Sequence, residues 1–105
     1  MPIHEDEVPQ HNKPVSLVKV VCHYNRNLKM SPEKLAAQVS HAVMHLNLPT
    51  PPEAVAVLQA RAGKFNEYCK SADYVHHDRG YTELAPNTPT VCAKITHVPH
   101  DHYMK

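Results

Sequence analysis

Glycine is scarce in this chain of 105 residues: only Gly63 and Gly80 occur, so each carries positional information. No apolar run approaches the roughly 18 residues of a membrane span, which excludes a transmembrane reading. Charge of neither sign is in excess, since 11 Lys and Arg against 10 Asp and Glu leave a formal +1. That balance does not advertise a nucleic-acid binder, so any RNA contact must be local. The three cysteines, Cys22, Cys69 and Cys92, are odd in number and lack C-x-x-C spacing, which argues against a disulfide framework and a structural zinc knuckle. Reduced thiols in a cytoplasm fit best. The opening MPIHEDEVPQHNKP has no cationic start followed by an apolar stretch, so it does not read as a secretory signal, and a cytosolic chain is expected.

Histidine and proline are abundant, ten of each, both well above ordinary usage. With 42% hydrophobic and 20% charged residues, the chain reads as one globular domain with a modest core. Residues 1–14 are polar, carry Pro2, Pro9 and Pro14 and show no period, which predicts a flexible arm; 15–98 form the domain and 99–105 a polar tail. Leu17-Val18-Lys19-Val20-Val21-Cys22 is a β-branched apolar run and predicts a strand over 16–24, covered on both faces. Ser31, Pro32 and Glu33 supply an N-cap, a first-turn proline and a first-turn acid for a helix over 32–46. Pro49, Pro51 and Pro52 stop it. Ala54-Val55-Ala56-Val57-Leu58 is a second apolar run, completing a parallel β-α-β unit. Residues 61–70 predict a short helix with Phe65 and Cys69 four apart. Strands are expected over 72–77 and 90–96. The twelve residues from Asp78 to Pro89 between them have no period, and loops of that length often carry function.

On the first helix, Leu35, Val39, Ala42, Val43 and Leu46 share an apolar face aimed at a sheet. Lys34, Gln38, His41 and His45 lie within about 60° of one another on a line bordering that face. A row of donors and proton carriers therefore follows the rim of the core, with a plain solvated flank as the alternative. Two features favour use. Lys34 stands in the first turn, where the helix dipole disfavours a cation. Beside exposed first-turn N–H groups it would concentrate positive potential suited to a phosphate or a developing oxyanion. The second feature is the loop opening Asp78-Arg79-Gly80-Tyr81-Thr82. If the first and third strands are neighbours, it delivers an acid and a hydroxyl to the helix start.

The stretch 27–42, NLKMSPEKLAAQVSHA, resembles the signature of the second, archaeal and eukaryotic, type of peptidyl-tRNA hydrolase, in which a strand feeds a helix carrying lysine, Ala-Ala-Gln and Ser-His-Ala. A second block, Asp78-x-Gly80-x-Thr82 with Thr90-Val91 behind it, resembles that family's Asp-Ala-Gly-x-Thr loop and the strand after it. The resemblance covers about residues 16–98. It implies an α/β fold, a three-layer α/β/α single domain with a four-stranded mixed sheet. It also implies hydrolysis, without metal or other cofactor, of the ester joining a peptidyl group to the 3′ end of tRNA. Peptidyl-tRNA is the implied partner, no membrane is involved, and the family often forms homodimers. Carried over by position, Lys34, Asp78 and Thr82 are the expected catalytic residues, and Gln38, His41 and Thr90 bind substrate. Arg79 replaces the family's small residue and either adds a phosphate contact to substrate binding or blocks the pocket. In these roles Asp78 orients water, Lys34 stabilises the anion, and Gln38, Thr82 and Thr90 position substrate and water. The chain has Asn27 where the family usually has an acid, and Ser31-Pro32-Glu33 where it has Gly-Lys-Gly. The reading from another class is a non-catalytic module that binds an RNA end or a protein on the same scaffold.

His41 and His45, four apart, could meet His76-His77-Asp78 in a zinc site. The expectation is against metal, because adjacent strand residues point to opposite faces and a histidine-rich chain makes chance pairs common. Cys22 and Cys92 are expected as small buried hydrophobes, Met30 and Met44 as core filler, and Tyr81 as a residue that could stack on a terminal RNA base.

Overall fold

The computed structural model describes residues 16–80 and 84–99. Within them the chain forms strands β1 (Ser16–Asn25), β2 (Ala54–Ala60), β3 (Tyr74–His77) and β4 (Pro89–Pro99) and helices α1 (Pro32–His45) and α2 (Ala62–Ser71), in the order β1-α1-β2-α2-β3-β4. The strands make one mixed sheet of order β2-β1-β4-β3. β1 runs parallel to β2 and antiparallel to β4, and β3 is antiparallel to β4. The expected β-α-β unit is present. The first and third strands are not neighbours, however, because β4 lies between them.

α1 starts as its residues dictate. The Ser31 side chain accepts from the Lys34 N–H at 3.0 Å, Pro32 occupies the first turn, and Glu33 adds an acid there. That bond also uses the Lys34 N–H, which is therefore already capped rather than offered to an anion. Asn47 ends the helix in the left-handed region at φ 54, its N–H on the Met44 carbonyl. α2 has no side-chain cap of its own at Arg61. Instead the side-chain Oδ1 of Asn27, from the turn after β1, accepts the Ala62 N–H at 2.8 Å. Asn27 thus ties the start of α2 to the turn that follows β1.

Val20, Cys22, Ala42, Val91 and Ala93 form one buried cluster, joined by Leu35, Val39, Val43 and Leu46 of the α1 segment. Ala60, Phe65 and Cys92 form another, joined by Tyr68 and Cys69 of α2 and by Val75. Val91 and Ala93 fall in the first cluster and Cys92 in the second, so by strand alternation the two helices cover opposite faces of the sheet. Cys22 and Cys92 are buried as expected, and burial pushes the Cys22 thiol up to about 11, with Cys92 adding to the effect. Met44 is 72% exposed, contrary to the core expectation. It lies off the Leu35, Val39, Ala42, Val43 stripe, on the helix side turned from the sheet.

Candidate functional site

α1 rests mainly on β4 and β3, and its apolar face also shares a buried cluster with Val20 and Cys22 of β1. This placement brings the polar line of the helix over the end of β3 and the loop that follows. Lys34 Nζ meets Asp78 Oδ1 at 2.5 Å, with the two side chains 12% and 3% exposed. The other carboxylate oxygen, Oδ2, accepts the Gly80 N–H at 2.7 Å. The backbone of Asp78 is held as firmly, its N–H donating to the Thr88 carbonyl and its carbonyl accepting from Asn87 at 2.6 Å. The long loop is therefore closed at its base by its first residue. Gly80 is required where it stands: its φ is +83, and a Cβ there would lie 2.7 Å from Pro86 Cγ.

Burial works to raise the Asp78 pKa. The hydrogen bonds from Lys34 and Gly80 and the charges of Lys34 and His76 outweigh it and hold the carboxyl below its ordinary 3.8. Asp78 is therefore an ionised acceptor at neutral pH.

Behind this pair, Thr90 and Gln38 are 0% and 5% exposed. The Thr90 hydroxyl donates to Gln38 Oε1 at 2.6 Å, with the His76 carbonyl 3.4 Å away. Thr90 thus reaches the cleft only through Gln38, whose amide NH2 is the end not used in that bond.

The cleft is roughly 500 Å³ and is lined by Lys34, Gln38, His41, His45, Tyr74, His76, His77, Asp78 and Arg79. Of the expected site residues, the structure brings together Lys34, Gln38, His41, Asp78 and Arg79, with Thr90 one bond behind them. Thr82, like Tyr81, lies outside the described residues. His76 and His77 both line the cleft although strand alternation would part them; a register shift between them breaks the alternation. Tyr74 went unremarked in the sequence, and its signal was the two-residue spacing to His76 on one strand. Among the described residues no group of three or more His, Cys, Asp or Glu is arranged to hold a metal ion.

An ionised carboxylate, an ammonium and an amide at one opening can orient a water, stabilise a growing negative charge and hold a carbonyl substrate. Compared with known proteins, the chain matches no family model and no curated protein.

Proposed function

We propose that this protein hydrolyses the ester between a peptidyl group and the 3′ end of tRNA, without a metal ion, in the cytoplasm. One observation carries the reading: the Lys34 ammonium and the Asp78 carboxylate, 44 positions apart in the chain, meet at 2.5 Å on the wall of a cleft. The resemblance of the stretches 27–42 and 78–91 to the second type of peptidyl-tRNA hydrolase names the substrate. The free thiols of Cys22, Cys69 and Cys92 suit a reducing compartment. Among the described residues no helix is long and apolar enough to cross a membrane.

In this mechanism the Asp78 carboxylate accepts a hydrogen bond from water and aims its oxygen at the ester carbonyl carbon. Its lowered pKa suits it to orienting water rather than storing a proton. As the carbonyl oxygen gains charge, Lys34 stabilises it. The carbon–oxygen bond to the ribose then breaks, and the proton that water gives up is the one the departing ribose oxygen needs. Gln38, held by Thr90, positions the substrate.

The test is release of the peptidyl group from tRNA by purified protein, beside Lys34→Ala and Asp78→Ala. The wild type is expected to be faster by about a hundredfold or more. A wild type no faster than either variant removes the enzymatic reading. RNA-end binding without turnover would favour the non-catalytic module.

A further inference from the structure

The cleft holds more titratable nitrogen than ester hydrolysis uses. His41 and His45 on α1 meet the rings of β3: His41 stacks on His76 with centroids 5.3 Å apart, and His45 lies 4.6 Å from Tyr74 and nearly parallel to it. The His45 and His76 rings are 6.2 Å apart. Three imidazoles therefore share one wall. Facing them are Lys34 from the same helix, Tyr74 and His77 from β3, and Asp78 and Arg79 from the loop. Asp78 is the only carboxylate among these lining residues, and its two oxygens are already bonded to Lys34 and Gly80.

His76 resists a proton while the cleft is empty. Burial, then the charges of His41 and His45, push His76 below its ordinary 6.5, and Asp78 opposes them only in part. An anion reverses the balance, because binding and proton uptake are linked and each promotes the other. The His45 Nδ1–H donates to the His41 carbonyl at 2.9 Å. The neutral ring thus offers only an acceptor at Nε2, and protonation turns that nitrogen into a donor. Several converging N–H donors beside an ammonium and a guanidinium suit a tetrahedral oxyanion with many acceptor oxygens.

We propose that His41, His45 and His76 form a proton-dependent subsite that takes a phosphodiester group of the RNA 3′ end. The inference rests on the RNA-end reading and adds to it a named group of the substrate and a dependence on pH. Of its residues the resemblance carries over His41 alone, as a substrate-binding position; His45, His76 and Tyr74 lie outside the positions carried over from the family.

Calorimetric binding of a short single-stranded RNA ending in CCA, with inorganic phosphate as a parallel arm, tests it on the full chain between about pH 8 and about pH 5. Each proton taken up on binding changes affinity about tenfold per pH unit. The wild type is expected to bind the RNA at least about tenfold more tightly at the acid end, and more tightly than it binds inorganic phosphate. The His45→Gln/His76→Gln variant is expected to flatten that slope. A readout needing no variant is the histidine ring titration by NMR, which RNA should move to higher pH. A flat wild-type affinity, an undiminished slope in the folded variant, or unmoved ring titrations overturn the proposal. Inorganic phosphate binding as tightly as RNA overturns the assignment to the RNA end. Because binding is read without turnover, an inactive protein that still shows the slope removes hydrolysis and keeps the subsite. Hydrolysis with flat binding removes the subsite alone.

Discussion

Lys34→Met would leave the Asp78 carboxylate, 3% exposed, with the Gly80 N–H but without its ammonium partner. Removing one member of a buried pair costs about 3–5 kcal/mol, and urea denaturation should show a loss of that size. The double variant Lys34→Met/Asp78→Asn should recover much of it, because no unpaired charge remains. The pH dependence follows from the direction of the Asp78 shift. A carboxyl whose folded pKa lies below 3.8 contributes stability that is fully present above that value and lost as pH falls through the folded one. The stability difference between wild type and Asp78→Asn should therefore close as pH drops below about 4; a difference that stays constant would show the carboxylate is not stabilised by its partners. His76 acts in a higher window. Its lowered pKa means the unfolded chain takes the proton first, so its effect is to weaken the fold as pH falls below its ordinary 6.5.

At the scale of the element, the loop from Asp78 to Pro89 works because its base is pinned and Gly80 passes close under Pro86. Gly80→Ala would force a Cβ into Pro86 at a positive φ, at a cost of about 1–3 kcal/mol. It should also shift the N–H that holds Asp78 Oδ2. The expected result is lower thermal stability together with slower peptidyl release, and unchanged values of both would show that the turn has room. The strand bounds have local reasons too. β3 begins at Tyr74 rather than 72 because Ala72 ends α2 and the Asp73 carboxylate takes the Ile95 N–H for itself. β2 and β4 run on to Ala60 and Pro99, beyond the apolar runs that marked them, because backbone pairing with β1 continues to Asn25↔Ala60 and Ser16↔Pro99.

For the molecule as a whole, a formal +1 at pH 7 with ten histidines means that mild acid changes its electrostatics more than any single substitution. Few phosphate contacts are on offer near neutrality, so RNA affinity should fall only gently with salt. As the cleft imidazoles charge, the slope of log affinity against log salt should steepen by roughly 0.7 for each phosphate newly held. Identical slopes at both ends of the pH range would contradict this.

Much of the architecture was legible because its causes are local. Ser31 and Pro32 start α1, the proline cluster after Leu48 stops the chain from continuing it, and β-branched runs mark β1 and β2. The same helical period alone puts Lys34, Gln38, His41 and His45 on one line. What that line would face was decided only by tertiary structure. Strand order is a matter of long-range pairing, and inserting β4 between β1 and β3 carried α1 over β3, where Asp78, His76 and Tyr74 wait. The break in register at His77 likewise depends on how β3 meets β4. No periodicity within a single segment contains that information, because the partner strand supplies it.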